Sequence, residues 1–233
     1  MVVIRVRLDP GHGGPDPGAT ANGLRESDVA LGITKLVAAM LRSQDIAIDL
    51  TRVADVELLS GDRSAHLKRP GVACSVSIHA NAAGDPGAAG HEIFVSAFLD
   101  ESRRLGELIS EEYLQWVQGI GARQPAVKTR LASGGAADYY YFVRHPVSVG
   151  IPAVLVEVGF VTNQQDAAVL ASFWGRFQIA YAISRGILSW LGVDSDQRLS
   201  DLERELASAY LDLADARARL SQIAILAAQK GGE

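Results

Sequence analysis

Two of the five histidines stand where an apolar run gives way to a polar turn. His12 follows Val2 to Leu8 in the stretch Asp9-Pro10-Gly11-His12-Gly13-Gly14, and His79 closes Val72 to Ile78 in Ser77-Ile78-His79-Ala80-Asn81. Imidazole is the commonest protein ligand for a transition metal, and two histidines at one edge need a third group to hold zinc. Glu26, in Leu24-Arg25-Glu26-Ser27 just ahead of a helical pattern, can be folded back over that edge by the intervening loop. Two histidines and one glutamate form a recurring catalytic zinc set with a fourth position left for water. Gly11, Gly13 and Gly14 let the backbone turn sharply and come close to whatever is bound, having no Cβ. A hydrolase also needs a base. Glu157 interrupts the apolar run Val154-Leu155-Val156-Glu157-Val158, and a carboxylate in such a run usually has a partner or a job. Burial would raise its pKa and a nearby cation would lower it, a balance suited to acid–base work.

The single thiol and the remaining imidazoles read differently. His66 lies in a helical surface pattern and is expected to be solvent-exposed. His91 precedes Glu92 at a strand start, the wrong end of that strand for the site. His145, before Pro146, is the one competing ligand, against a tetrahedral count already filled by three side chains and water. Cys74 reads as a small core residue.

Positioning these groups requires strands that end together. Val2–Leu8, Ile46–Leu50, Val72–Ile78, Glu92–Val95 and Ala153–Val158 are short, apolar and rich in β-branched residues. They alternate with helical patterns over about Ser27–Leu41, Glu101–Val117 and Gln165–Leu191. That alternation predicts an α/β fold, a twisted and mostly parallel sheet flanked by helices, with ligands at the carboxyl ends of its strands. Residues 121–146 fit neither period; Ser133-Gly134-Gly135 marks a flexible loop ahead of the aromatic run Tyr139 to Phe142.

The chain has 233 residues, is 48% apolar and 21% charged, and carries a formal net charge of −5. A real core follows, and no electrostatic case for nucleic acid. One cysteine excludes an internal disulfide framework and a cysteine-rich zinc module. No apolar run reaches the roughly 20 residues of a membrane span. Composition shifts after Gly192, which divides the chain into a catalytic domain, 1–192, and a tail, 193–233. In the tail Leu199, Leu206, Leu213 and Leu220 recur every seventh residue, with Leu202, Ala209, Ala216 and Ile223 at the second apolar position. The pattern over 196–229 is that of an amphipathic helix or coiled coil, laid on the catalytic domain, self-associating, or docked on a partner.

From Val2 to Leu191 the chain resembles the zinc-dependent N-acetylmuramoyl-L-alanine amidases of the type-3 amidase family. The shared marks are Leu8-Asp9-Pro10-Gly11-His12-Gly13-Gly14, Glu26, Leu50-Thr51-Arg52, Ser77 to Asn81, and Pro152 to Asn163. The resemblance implies one zinc ion held by His12, Glu26 and His79, with Glu157 as the catalytic acid–base. The reaction it implies is cleavage, in peptidoglycan, of the amide between N-acetylmuramic acid and L-alanine of the stem peptide. Asp9, Asn81 and Asn163 either orient ligands and bind substrate or shape turns. Arg52 either binds a substrate carboxylate or anchors structure. Arg123 to Val149 follows the family poorly and is expected to line the peptide side of the groove.

Two other functions share these residues: a zinc peptidase cutting within the stem, and a non-catalytic wall-binding protein. The expected place of action is the bacterial cell wall. The N-terminus has no apolar leader pattern, which suits a phage lysin released from the cytoplasm or a host enzyme stripped of its leader.

Overall fold

A computed structural model describes residues 3–194 and, beyond them, the helical positions 201, 204, 205 and 208. The chain divides into two compact units, Met1–Asp194 and Ser195–Glu233. Apart from those four positions, the heptad pattern of 196–229 lies outside the described residues.

The first unit is built on a six-stranded sheet. Its strands are β1 (Arg5–Pro10), β4 (Ala47–Leu50), β5 (Cys74–Asn81), β6 (His91–Val95), β7 (Ala122–Lys128) and β8 (Ala153–Phe160), in the spatial order β4-β1-β5-β8-β6-β7. A two-stranded hairpin, β2 (Thr20–Ala21) with β3 (Leu24–Arg25), stands apart from it. All junctions in the large sheet are parallel except β6–β8, so the mostly parallel α/β expectation holds with one reversal. Central β5 and β8 are buried almost throughout, which is why they read as continuous apolar runs and not as alternating ones.

The helices are α1 (Glu26–Arg42), α2 (Ser60–Leu67), α3 (Asp100–Trp116), α4 (Tyr141–Val147), α5 (Gln164–Ala171) and α6 (Phe173–Leu191). Helix α6 packs between α1 and α3. Side chains alternate across the sheet: Phe94 of β6 and Leu155 of β8 pack with Val143 of α4, while Ile93 and Val95 of β6 lie against Gly106 of α3. Thus α3 and α4 lie on opposite faces of the sheet. Arg7, fully buried in β1, meets Asp49 at 2.9 Å and donates to the carbonyls of Leu67 and Arg69, tying α2 to the sheet edge.

The expected helix over Gln165–Leu191 is two helices. Ser172 breaks it by accepting from Gly175 N–H as the N-cap of α6. The stretch 121–146 supplies edge strand β7 and the start of α4. Strand β7 carries Pro125, which an edge strand tolerates, and its polar sequence conceals it. His66 is not free in solvent: its Nε2 lies 2.8 Å from Asp49 Oδ1, and the ring is mostly covered. Cys74 is buried and unpaired by disulfide, as a core residue should be. Among the described residues no helix is long and apolar enough to cross a membrane.

Candidate metal centre

The site forms at the carboxyl edge of β1, β5 and β8, where α1 begins. His12 follows β1 in a left-handed backbone conformation with φ of 57°. Glu26 is the first residue of α1, and His79 sits near the end of β5, in register with Glu157 on β8. The approach is close enough to need glycine. A Cβ on Gly11 would lie 2.4 Å from the His79 ring, and one on Gly18 would lie 2.6 Å from both Glu26 Oε2 and His12 Cδ2.

His12 Nε2 and His79 Nδ1 converge on one oxygen, Glu26 Oε1, at 3.1 and 2.9 Å. The donor atoms of His12, Glu26 and His79 lie within 4.8 Å of one another, a grouping able to hold a metal ion. His12 Nδ1 rests 2.8 Å from Asp16 Oδ2, a carboxylate–imidazole contact that directs the other ring nitrogen towards the cluster. Glu26 Oε2 accepts from Ala19 N–H and Oε1 from Ala80 N–H, fixing the carboxylate in place. His79 packs against Phe142 at 4.9 Å, and its Nε2 is buried with no hydrogen-bond partner among the described residues.

The electrostatics match this arrangement. The hydrogen bond to Glu26 raises the His12 pKa to about 9 against the opposing effect of burial. Burial alone would raise Glu26, but the bonds from His12 and His79 outweigh it and hold the carboxyl well below the usual carboxylate range. Glu157 moves the other way: burial, then the charges of Glu26 and Glu92, push it to about 8. Its Oε2 is buried without a partner among the described residues, so no arginine ties it down. A cleft of about 310 Å³ brings His12, Glu26, His79, Asn81, Tyr140 and Glu157 together. That cleft therefore holds a triad able to ligate a metal ion and a protonatable carboxyl side by side.

The remaining sequence candidates divide. Asn81 lines the cleft, and its Nδ2 donates to Glu92 Oε2 at 2.8 Å. Asn163 is not among the residues that line this cleft; it caps α5 by accepting from Gln165 and Asp166 N–H, and its amide donates to Pro86 C=O. Arg52 resolves to the anchoring role. It is 3% exposed and donates to the carbonyls of Pro10, Gly11, Ser27 and Ala54, so its guanidinium is occupied by backbone. Asp9 is fully buried and accepts from Thr51 and Ser77. His145 bonds Ser64 and is no ligand.

The strand that begins at His91 does not run in the expected direction. Strand β6 runs antiparallel to β8, so its beginning lies at the active edge, with Glu92 opposite Glu157. Alternation then sends the two neighbours to opposite faces. His91 stacks on Tyr113 of α3 and bonds Ser110, while Glu92 faces the site, bonded to Asn81, Lys128 and Arg123. Glu92 is the residue that sequence reasoning missed. The signal was present, since it too is a carboxylate inside an apolar run.

The N-acetylmuramoyl-L-alanine amidase family profile matches residues 6–189, and the chain belongs to that family of amide hydrolases. It is 30% identical over 231 residues to the N-acetylmuramoyl-L-alanine amidase AmiA of Salmonella typhimurium, covering 85% of this chain and 80% of that protein. An endolysin of Bacillus phage SPP1 is 33% identical over 171 residues, covering 71% of this chain and 58% of the endolysin. Among solved structures, the amidase AmiC2 of Nostoc punctiforme aligns with a TM-score of 0.70 at 34% identity, over 81% of this chain and 97% of that one.

Proposed function

We propose that this protein is a zinc-dependent peptidoglycan hydrolase that cleaves the amide between the lactyl group of N-acetylmuramic acid and L-alanine of the stem peptide. The observation that carries the proposal is the convergence of two imidazole nitrogens on Glu26 Oε1, with Glu157 lining the same cleft. His12, Glu26 and His79 would hold the zinc. Two imidazole nitrogens, neutral once the ion displaces the His12 proton, and one carboxylate suit that ion, and the Asp16 contact on His12 is the kind of support a ligating histidine needs. When bound, zinc supplies positive charge that acidifies water and polarises a carbonyl oxygen.

Glu157 does the proton work. Burial raises its carboxyl above the usual carboxylate range and a bound cation would lower it again, so that it would take a proton from the attacking water and return it to the departing amine of L-alanine. Glu92, neutralised by Lys128 and held by Asn81, keeps its oxygens away from that exchange. The place of action is the bacterial wall. Catalysis is assigned to 1–192, and the 193–233 tail, through its heptads at 196–229, to self-association or docking.

The test is digestion of purified peptidoglycan by chelated and by zinc-restored protein, with mass spectrometry of the soluble products. Intact stem peptides beginning with L-alanine, released only after zinc is restored, are the expected outcome. Fragments cut within the stem would replace the substrate bond, and activity indifferent to chelation would remove the metal.

A further inference from the structure

Beyond the metal centre, one cation beside the cleft-lining Tyr140 meets no carboxylate among the described residues. The next cations back along the chain are committed: Arg123 and Lys128, on β7, both pair with Glu92. Arg130 is different. Among the described residues it contacts no acidic side chain. Its guanidinium lies 3.8 Å above the Tyr139 ring and 5.6 Å from that of Tyr140, and Nη1 donates to the Tyr140 hydroxyl at 3.3 Å. The long side chain is exposed, yet two rings hold it in one direction, which leaves its remaining N–H groups free to bind.

The loop that carries it is built to stay in place. Tyr139 N–H donates to Arg130 C=O at 2.7 Å and Ala132 N–H to Ala137 C=O at 2.9 Å, closing a small hairpin on itself. Asp138, buried between the two tyrosines' chain and β6, accepts from Ser96 Oγ and Ala97 N–H. Arg144 clamps the same turn through the carbonyls of Asp138 and Tyr139. Tyr140 itself packs on Phe94 at 4.5 Å and lines the cleft together with Glu157. Arg130 is therefore one phenol away from the wall of the reaction cleft, on a preorganised support.

Which half of the substrate passes there follows from the proposed reaction, on which this inference rests. The departing amine must receive its proton from Glu157, so the peptide leaves along the wall that Glu157 shares with Tyr140. From that amine the first free carboxylate along a stem peptide is the α-carboxylate of its second residue, an isoglutamate joined onward through its side chain. One extended residue spans about 3.3–3.6 Å, so this group falls within one or two residues' reach of the cleft wall. We propose that Arg130 is a specificity-determining residue that binds this carboxylate, so that the protein prefers stems whose second residue is a free acid over stems in which it is amidated. A planar guanidinium offers two parallel N–H groups to a carboxylate and loses that match with a neutral carboxamide.

The test is calorimetric titration of the zinc-loaded full chain with two synthetic peptides. One is L-alanyl-γ-D-glutamyl-L-lysine amide, and the other is the same peptide with the glutamyl α-carboxylate converted to carboxamide. The expected result is binding of the acid up to about fivefold tighter, the factor an exposed ion pair supplies. Arg130→Gln, a surface change that leaves the hairpin's backbone bonds untouched, should bind the two peptides alike, and Arg130→Lys should recover part of the preference. Equal binding of the two peptides by the unaltered protein, no binding of either, or a preference that survives Arg130→Gln overturns the proposal. Failure of the reaction itself looks different: the acid would still be preferred in the titration, while peptidoglycan would not be cut at the lactyl amide.

Discussion

Replacing Gly11 with alanine should disable the metal centre without unfolding the protein. The added Cβ would stand 2.4 Å from His79 Cε1 and 2.6 and 2.7 Å from its two ring nitrogens, so the imidazole lies flat against the glycine. Ordinary carbon contacts begin near 3.5 Å, so one partner must yield by roughly 1 Å. The backbone at Gly11 is held by its N–H to Ile78 C=O and by Arg52 on its own carbonyl. The ring cannot retreat freely either, because Phe142 packs on it at 4.9 Å. A metal site tolerates about 0.2 Å in its ligand distances, so a displacement of that size should cut zinc affinity by at least about 100-fold. Overpacking should cost roughly 1–3 kcal/mol of stability. Competition against a chromophoric chelator reads the affinity, and far-ultraviolet circular dichroism reads the fold. Gly84→Ala is the control, since nothing lies within 4 Å of a Cβ there. Unchanged zinc affinity in a folded Gly11→Ala protein would refute the placement of His79 in the site.

Two further outcomes follow from buried polar groups. His91 is fully buried, and burial lowers its pKa to about 4 from an ordinary 6.5. The unfolded chain then takes the proton first as pH falls. The neutral ring's contribution is complete above about pH 6.5 and is lost on acidification towards pH 4, roughly 3 kcal/mol in all and about 2 kcal/mol by pH 5. Urea unfolding of chelated protein should show that slope, and His91→Gln should lose it; parallel slopes would contradict the assignment. Arg52→Gln should strand several buried carbonyls and destabilise the fold by about 3 kcal/mol, a drop of roughly 6–12 °C in melting temperature. A normal melting temperature for that variant would contradict the anchoring role and favour the alternative, binding of a substrate carboxylate.

The convergence of His12, Glu26, His79 and Glu157 on one cleft was legible because each announces itself locally. His12 and His79 interrupt the transition from apolar strand to turn, Glu26 stands at the first turn of a helix, and Glu157 breaks an apolar run. What was not legible is strand direction. Residues His91 to Val95 have the same composition whichever way they run, and only the antiparallel pairing with β8 puts Glu92 at the active edge. Strand β7 was hidden for another reason: at the sheet edge its residues need not be apolar, and Pro125 argues against a strand wherever pairing on both sides is required. Ser172 is a fair signal in retrospect, a capping residue between two helical stretches, but periodicity alone runs through it. Arg52 and Asn163 show the opposite limit. A polar residue near a site reads as a binding group, and only its hydrogen bonds reveal that the backbone already occupies it.

The most direct test of the central claim pairs metal analysis with product analysis of Glu157→Gln. If His12, Glu26 and His79 hold the zinc while Glu157 moves the proton, the variant should carry one zinc per chain like the unaltered protein. It should release L-alanine-terminated stem peptides from peptidoglycan at least about 100-fold more slowly, the span expected for loss of a general acid–base. Cleavage at the unaltered rate by a zinc-loaded Glu157→Gln protein would contradict the mechanism.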